Sequence, residues 1–532
     1  MPHNIMIQGT MSGVGKSLIT AGLCRIFKQD GYSPAPFKSQ NMALNSYVTR
    51  TGLEMGRAQV MQAYAAGAEP EVSMNPVLLK PTDDTGSQVI VNGRPVGNMP
   101  AREYFEYKKS LIPVIKKAYD SLSSVYSPVV IEGAGSPAEI NLKENDIVNM
   151  GLARLIDSPV ILVADIDRGG VFAQLYGTVM LLDPDERSRI RGFVINKFRG
   201  DPTLLDTGIT EITARTGIPV LGVVPFIPDL KLEDEDSLTG RFERTRDESA
   251  LITIAVIRLP RISNFSDMDP FEQNKDVCVL YTTDPEELRR ADLIIIPGTK
   301  NTIGDMRFLK ESGLADELCK LAGKVPIFGI CGGLQILGRR ISDPDGVETE
   351  GLPGERDIQG LGLLPVETVL KKEKYRAQTE GSLDHDIEGI FSGLSGMEYE
   401  GYEIHAGRTQ WTEDECGLHN QDGLHSTNSL HNADSLHDIF GLHDIFGLHN
   451  ANEPAPVLLS TGQDVYGTYV HGFFDRAGIA AAVLKALAVR RGVELDLSRQ
   501  TDQRAFREAR YDVLADTLRE HINMKKVYEL LK

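Results

Sequence analysis

Short apolar runs alternate with longer amphipathic stretches along roughly the first 230 residues of the chain. The runs are rich in β-branched residues, and each leads into glycine, aspartate or proline: "IMIQG" at 5, "VVIEGAG" at 129, "PVILVAD" at 159, "GFVINKF" at 192 and "PVLGVVP" at 219. Such runs predict buried parallel strands that end in functional loops. The repeated strand–helix spacing predicts an α/β fold with a doubly wound sheet, which binds ligands at the carboxyl ends of its strands.

A second series of strand-like runs begins at 251 with "LITIAVIRLP", and continues with "ADLIIIPGTKNT" and "KVPIFGICGGLQILG". Between the two series the chain is highly charged and lacks an apolar period, which predicts a linker at residues 236–250. We therefore expect one doubly wound α/β domain over residues 1–235 and another over 251–490. The pattern of residues 491–532 predicts a closing helical segment.

Composition is that of an ordinary globular protein, with 41% hydrophobic and 25% charged residues among 532. We find neither a signal peptide nor an apolar run long enough for a membrane helix, and therefore expect no membrane partner. Five scattered cysteines do not form a disulfide framework, which favours a reducing cytoplasm in which one thiol could be catalytic. The net charge of −19 argues against a nucleic-acid partner.

A hexapeptide repeat occupies residues 417–450. Its histidines recur every six residues, at His419, His425, His431, His437, His443 and His449. On a helix this period would separate successive histidines by about 240°, whereas an extended strand would bring them to one face. The repeat is interpreted as a disordered surface insertion, with a metal-sequestering tract as the alternative.

The stretch "GTMSGVGKS" at 9–17 follows the first predicted strand and precedes an amphipathic helix. It has the form of a phosphate-binding loop with one residue more than usual between its first glycine and its Gly-Lys pair. Lys16 would reach the terminal phosphates of a nucleotide, and the Ser17 hydroxyl would ligate Mg²⁺. A mere glycine-rich turn would not explain Lys-Ser at the helix start. The predicted ATP-binding residues of the loop are Gly9, Thr10, Gly13, Gly15, Lys16 and Ser17.

A second candidate site combines a cysteine and a distant histidine. Cys331 lies among glycines between a strand-like run and a helical run, where a tight bend can project a nucleophile and a helix N-terminus favours thiolate. His471 follows another strand-like run and could act as its base. The oxyanion donors would be backbone N–H groups of Gly332 and of Gly298 in the "PGTKNT" loop.

The lengthened loop resembles that of the dethiobiotin synthetase superfamily, whose members activate a carboxylate with ATP. Partition-type ATPases carry a lysine at the position of Met11, so that class is disfavoured. The resemblance implies that Glu132 binds magnesium, that Lys38 lies near phosphate and substrate, and that Asn196 recognises adenine. It leaves the second magnesium carboxylate unassigned. Asp165 and Asp167 are candidates for it or for helix caps.

The Cys331–His471 pair resembles that of class I glutamine amidotransferases. In that family the cysteine attacks the glutamine amide, forms a glutamyl thioester and releases ammonia. The usual third member is a glutamate two residues after the histidine, a position that Phe473 occupies here. The group that orients His471 is therefore open, with Asp475 and Glu403 as possible partners.

Over nearly the whole chain, motifs such as "FKSQNMALNS", "IEGAGSPAEINL", "LVADIDRGGVFA" and "GFVINKFRGD" resemble the cobyric acid synthase family. The resemblance implies a P-loop NTPase-like domain followed by an amidotransferase domain. It also implies amidation of the b, d, e and g carboxylates of adenosylcobyrinic acid a,c-diamide, with ATP, Mg²⁺ and glutamine and without an obligate protein partner. The alternatives are a cobyrinic acid a,c-diamide synthase and a P-loop ATP switch that ligates nothing. Lys80, Arg168 and Arg199 could hold the corrinoid carboxylates or be ordinary charges.

Overall fold

The computed structural model describes residues 3–81, 86–228, 230–232, 241–349, 356–412, 457–498 and 500–532. The histidine repeat at 417–450 lies outside the described residues. The chain divides into two compact units, one formed by Met1–Gly240 with Gln503–Lys532 and the other by Arg241–Asp502. Within the described residues, no helix has the length and apolar character needed to cross a membrane.

The first unit is built on a six-stranded parallel sheet. In spatial order its strands are β12 (Val220–Pro225), β11 (Ile190–Phe198), β10 (Val160–Asp165), β1 (Asn4–Gly9), β9 (Val129–Glu132) and β2 (Ala35–Phe37). Every residue of β1, β9 and β10 is buried, as expected of apolar strands covered by helices on both faces. All five strand-like runs of this region are strands, which confirms the predicted parallel α/β fold.

Within the described residues, eight α-helices lie between the strands of this unit. They are α1 (Lys16–Gln29), α2 (Arg57–Ala66), α3 (Ala101–Tyr107), α4 (Ile112–Ser123), α5 (Met150–Leu155), α6 (Val171–Leu181), α7 (Pro184–Arg189) and α8 (Asp206–Thr216). The helix α1 begins directly after the phosphate-binding loop, so the loop joins the carboxyl end of β1 to a helix N-terminus. This placement is what a phosphate site requires.

The sequence pattern does not predict a small sheet that is inserted between β2 and β9. Its strands are β3 (Gln40–Met42), β6 (Val77–Pro81), β7 (Gly86–Val91) and β8 (Arg94–Pro100), and a separate hairpin is formed by β4 (Ser46–Val48) and β5 (Glu54–Gly56). Only β3 and β6 run parallel in the small sheet. The strand β8 has no buried residue, so it shows no apolar alternation that would indicate a strand.

A second six-stranded sheet forms the core of the other unit. Its order is β14 (Val277–Thr282), β13 (Ile252–Ile257), β15 (Leu293–Ile296), β16 (Ile327–Ile330), β22 (Val465–Thr468) and β21 (Leu458–Thr461). The first five strands are parallel and β21 is antiparallel. The associated helices are α9 (Pro285–Arg289), α10 (Thr302–Glu311), α11 (Leu314–Leu321), α12 (Gly332–Leu337) and α13 (Ala477–Arg491).

This unit also contains a four-stranded sheet with a long hairpin. The strands are β17 (Arg340–Ser342), β18 (Asp357–Gln359), β19 (Val366–Ser382) and β20 (Glu398–Trp411), with β19 and β20 antiparallel. Arg241, which lies inside the charged 236–250 stretch, is fixed on this unit because its buried guanidinium is ion-paired with Asp269 at 2.6 Å.

The final two helices, α14 (Gln503–His521) and α15 (Met524–Leu530), return to the first unit. Arg25 on α1 pairs with Glu508 and Asp512 on α14, each at 2.7 Å. Leu518 of α14 is fully buried against Gly22 of α1. The C-terminal segment therefore supports the helix that carries the phosphate-binding loop.

Candidate active sites

The first site lies at the loop between β1 and α1. Gly13 and Gly15 have φ values of 74° and 90°, a left-handed backbone that glycine adopts at little cost. The backbone N–H of Thr10 donates to the Val163 carbonyl on β10 at 2.9 Å, and its hydroxyl donates to Gln174 at 3.1 Å. The loop is thus held against the neighbouring strand as well as by its own glycines.

Lys16 folds back over this loop. Its Nζ donates to the Met11 carbonyl at 3.0 Å and to the Gly135 carbonyl at 3.3 Å. The side chain is buried at the start of α1, where the N-terminus of the helix also favours negative charge. An ammonium in this position can neutralise the terminal phosphates of a nucleotide held by the loop.

Four polar side chains meet below the loop, at the end of β9. Oε1 of Glu132 accepts from Ser17 Oγ at 2.9 Å and from Lys38 Nζ at 3.0 Å. Its other oxygen accepts from the Gln62 amide. Burial opposes ionisation of Glu132, but the charge of Lys38 and the Gln62 hydrogen bond outweigh it and hold the pKa of this carboxyl below its ordinary value. The carboxylate is therefore the stable form at neutral pH.

The Ser17 hydroxyl and the Glu132 carboxylate offer oxygen atoms of the kind that binds a magnesium ion. Mg²⁺ prefers hard oxygen ligands, and usually takes one or two from the protein with phosphate and water completing the shell. Ser17 Oγ and the Glu132 carboxylate supply two such oxygens. Across the described ranges there is no group of three or more His, Cys, Asp or Glu side chains placed to hold a metal ion.

Two consecutive residues at the end of β11 hold the backbone of the loop. Asn196 Nδ2 donates to the Val14 carbonyl at 2.8 Å, and Lys197 Nζ donates to the Gly13 carbonyl. Lys197 also pairs with buried Asp165 at 3.0 Å. Asn196, which the resemblance assigns to adenine recognition, is thus in direct contact with the loop. The role of Lys197 is not apparent from the sequence.

The charged residues considered for magnesium or the corrinoid already have protein partners. Lys80 is buried and pairs with Glu54 at 2.5 Å, so its ammonium is neutralised inside the unit. Asp167 accepts from Arg199 Nε at 3.1 Å. Arg168 lies 4.0 Å from Asp165 and is mostly exposed.

The second site is centred on Cys331, at the turn between β16 and α12. Cys331 has φ 53°, an uncommon value for a residue with a side chain, and its N–H donates to the Thr468 carbonyl at 2.8 Å. A side chain on Gly333 would collide with the Ile296 carbonyl. The sharp turn is therefore possible only because small residues follow the cysteine.

His471 is brought to this turn by pairing with β20. The backbones of His471 and Tyr402 exchange two hydrogen bonds, at 2.8 and 3.0 Å. His471 Nδ1 contacts Oδ2 of Asp267 at 2.8 Å, and the Gly472 N–H donates to the other carboxylate oxygen at 2.8 Å. Cys331, His471 and Asp267 are all buried. The three are arranged as a nucleophile, a proton carrier and an orienting carboxylate would have to be.

The electrostatics of His471 follow from this burial and pairing. Burial of the ring disfavours its charged form, but the charge and hydrogen bond of Asp267, and a hydrogen bond with Cys331, outweigh burial and raise the pKa of His471 to about 10. The imidazole therefore holds a second proton at neutral pH, next to the Cys331 sulfur.

The predicted oxyanion glycines flank these side chains. A Cβ on Gly298 would lie 3.0 Å from Cε1 of His471, and one on Gly332 would lie 3.1 Å from the Thr299 backbone nitrogen. Gly332 is the first residue of α12, so its N–H has no acceptor within the helix. The structure thus places Gly298 beside His471 and Gly332 directly after Cys331.

Sequence reasoning did not identify Asp267. It lies in a short 3₁₀ helix, Phe265–Met268, far from His471 in the chain. Phe473, at the position of the missing glutamate, packs among aromatic rings, with its centroid 5.7 Å from that of Phe328. Glu403 contacts His405 at 3.1 Å. The only sequence signal for Asp267 is an acidic pair after a strand of the same domain.

Comparison with known proteins shows which families and which relatives the whole chain matches. Residues 5–239 match the CobQ/CobB/MinD/ParA nucleotide binding domain, and residues 253–478 match the CobB/CobQ-like glutamine amidotransferase domain. A cobyric acid synthase of Lachnoclostridium phytofermentans is 50% identical, covering 100% of this chain and 99% of the relative. Those of Ruminiclostridium cellulolyticum and Photorhabdus laumondii are 49% and 46% identical, covering 100% of this chain and 98% of each relative.

Proposed function

Because the chain belongs to the cobyric acid synthase family, we propose that it amidates the b, d, e and g carboxylates of adenosylcobyrinic acid a,c-diamide. Membership of the family establishes the reaction class, a glutamine-hydrolysing carbon–nitrogen ligase of cobalamin biosynthesis. The observation that supports the full reaction most strongly is the alignment of Cys331, His471 and Asp267 in a chain that also has an ATP-type loop.

In the glutaminase unit, the Cys331 sulfur attacks the side-chain carbonyl carbon of glutamine. Negative charge develops on the carbonyl oxygen, which the N–H groups at Gly298 and Gly332 stabilise. The proton held by His471 passes to the amide nitrogen, the carbon–nitrogen bond breaks and ammonia leaves a glutamyl thioester. Water, deprotonated by His471, then hydrolyses the thioester to glutamate, which releases the Cys331 thiolate and leaves His471 protonated again. Asp267 keeps the ring oriented throughout.

In the nucleotide unit, a corrinoid carboxylate oxygen attacks the terminal phosphorus of ATP, the bond from that phosphorus to the bridging oxygen breaks, and ADP leaves. Lys16 and the N–H groups of the loop would bind the transferred phosphoryl group, and Lys38, whose ammonium contacts Glu132 beside the loop, would hold the attacking carboxylate. Ser17 and Glu132 would hold a magnesium ion, which supplies charge neutralisation at the phosphates. Ammonia attacks the resulting acyl phosphate, and phosphate leaves as the amide forms.

The compartment follows from the co-substrates. ATP and glutamine are both cytoplasmic metabolites, so we place the reaction in the cytoplasm. The relatives are cobyric acid synthases, so they do not support the two alternatives, a cobyrinic acid a,c-diamide synthase and a P-loop ATP switch.

A direct test supplies the purified protein with ATP, Mg²⁺, adenosylcobyrinic acid a,c-diamide and either glutamine or ammonium. Mass analysis should show four successive carboxyl-to-amide changes with either nitrogen donor. Lys16→Ala should abolish product with both donors, because carboxylate activation itself is lost. The same variant should retain glutamine hydrolysis, which serves as its folding control. Full amide synthesis by Lys16→Ala would refute the role given to the loop.

A further inference from the structure

An exposed cation–aromatic stack lies at the carboxyl edge of the first sheet. The Arg199 guanidinium lies 3.5 Å from the centroid of the Phe226 ring, directly after β11 and β12 respectively. The Arg199 side chain is 56% exposed, and Phe226 is 38% exposed. A large aromatic residue that is exposed in this way at the ligand edge of an α/β sheet offers a flat surface to a ligand.

The surroundings fix this stack in place. Arg199 Nε donates to Asp167 Oδ1 at 3.1 Å, which orients the guanidinium plane. The backbone N–H of Phe226 donates to the Phe198 carbonyl at 2.8 Å, which ties the two strand ends together. The Arg199–Phe226 pair is therefore a built feature of the edge rather than a chance contact of two free side chains.

The stack lies beside the phosphate-binding loop. Asn196 and Lys197, the residues that hold the Val14 and Gly13 carbonyls, precede Arg199 by three and two positions on the same segment. Lys197 itself has φ 63°, a strained backbone of the kind that concentrates at ligand sites. A nucleotide whose phosphates occupy the loop would have its base within reach of this segment.

Charge favours a flat neutral ligand over another anion. Asp167 neutralises Arg199 and Asp165 neutralises Lys197, so this edge carries little net positive charge. Guanidinium planes and aromatic rings stack well on nucleobases, whose faces are uncharged.

We propose that the Arg199–Phe226 pair is the platform on which the adenine base of ATP stacks. This assignment rests on the proposed ATP-dependent function and specifies how the same site holds its nucleotide. It gives Arg199 a role in nucleotide binding in place of a contact with corrinoid carboxylates.

The test compares two ligands that share phosphates but differ in the base. Calorimetry on the full-length protein with Mg²⁺ measures the affinity of a non-hydrolysable ATP analogue and of inorganic tripolyphosphate. Phe226→Ala should weaken binding of the analogue about tenfold, the loss of one stacking contact, and leave tripolyphosphate unchanged. Arg199→Gln should act in the same direction. Leu204→Ala and Arg215→Gln, at exposed positions on the same unit, are the matched controls and should change neither affinity.

The other possible results of these binding measurements would overturn the platform or reassign its residues. Unchanged analogue affinity in Phe226→Ala would overturn the platform, as would equal weakening of both ligands. Weaker tripolyphosphate binding in Arg199→Gln would reassign Arg199 to the phosphates. If the wild-type protein bound neither ligand, the ATP-dependent function itself would fail, and the platform with it. Glutamine hydrolysis by each variant verifies that the chain is folded.

Discussion

We expect Asp267 to be the residue on which the glutaminase half of the reaction most depends beyond the cysteine and histidine. Its two oxygens are used by His471 Nδ1 and by the Gly472 N–H, so the carboxylate fixes both the ring and the turn that follows it. An orienting carboxylate stabilises the imidazolium and selects the productive tautomer of the neutral ring.

Asp267→Asn should reduce the glutaminase kcat by about two to four orders of magnitude, because the amide cannot supply the charge. Steady-state measurement of glutamate release checks this. The matched control is Glu403→Gln, which removes a neighbouring carboxylate that contacts His405, and it should retain activity. Ammonia-driven amide synthesis should survive in both variants. A larger effect in Glu403→Gln than in Asp267→Asn would reverse the assignment.

The pH dependence of the pair follows from the raised pKa of His471. Burial alone would lower that pKa, but pairing with Asp267 lifts it from 6.5 to about 10. The alkaline limb of glutaminase activity should therefore lie near pH 10, and in Asp267→Asn it should move to lower pH. The same pairing stabilises the fold fully below pH 6.5 and ceases to do so as the pH rises through about 10. Identical pH profiles for the two proteins would contradict this account.

Candidate residues for the chemistry were identifiable from sequence where a local motif indicates them. Both Cys331 and Lys16 lie in glycine-rich turns. The spacing of these turns predicts a nucleophile at Cys331 and a phosphate ligand at Lys16. Asp267 could not be found in this way, because its role depends on a contact across the fold between two segments with no common motif. Lys197 was missed for the same reason.

At the scale of elements, β11 positions the phosphate-binding loop through its last residues. Asn196 is buried, and its amide satisfies the Val14 carbonyl. A Cβ on Gly15 would collide with that amide, so the loop and the strand end are matched in shape. The loop is held from outside by its neighbour as well as by its own sequence.

Asn196→Ala should raise the KM for ATP about tenfold in ammonia-driven synthesis, since a buried backbone carbonyl would lose its donor at a cost of about 1–3 kcal/mol. Initial rates over a range of ATP concentrations measure this. Asn98→Ala, at an exposed position on β8 of the small inserted sheet, provides a comparison that should leave KM unchanged. An unaltered KM in Asn196→Ala would show that the loop keeps its form unaided.

The order of the elements was predictable from sequence where burial of an element leaves a pattern of apolar residues in the chain. The apolar strands of both large sheets are visible in the sequence because helices cover them. The outer half of β19, with Lys371, Lys372 and Glu373 exposed, has no apolar alternation. Over Tyr375–Ser382 its strand form comes from pairing with β20, a long-range contact that local sequence does not encode.

At the scale of the whole molecule, the last thirty residues complete the nucleotide unit. The sequence indicated helices there, but not which unit they join, because an amphipathic face does not identify its partner. Leu518 and Leu514 pack where α1 has Gly22, a position at which any larger side chain would meet Leu518.

Leu518→Ala should destabilise the nucleotide unit by about 2–5 kcal/mol through loss of buried apolar contact. The change is measured by the urea concentration at which ammonia-driven synthesis is lost, compared with that at which glutamine hydrolysis is lost. Only the urea concentration at which ammonia-driven synthesis is lost should fall. Val513→Ala, on an exposed face of the same helix, should stay within about 0.5 kcal/mol of wild type. Equal sensitivity of the two activities would contradict this division of the chain.

If one unit activates a carboxylate and the other supplies ammonia to it, Cys331→Ser should separate the two steps. The variant is assayed for corrinoid amidation with ATP and Mg²⁺, once with glutamine and once with ammonium. We expect wild-type product with ammonium and no product with glutamine, because only the thiol-dependent step is removed. Loss of product with both donors, or retained use of glutamine, would contradict it.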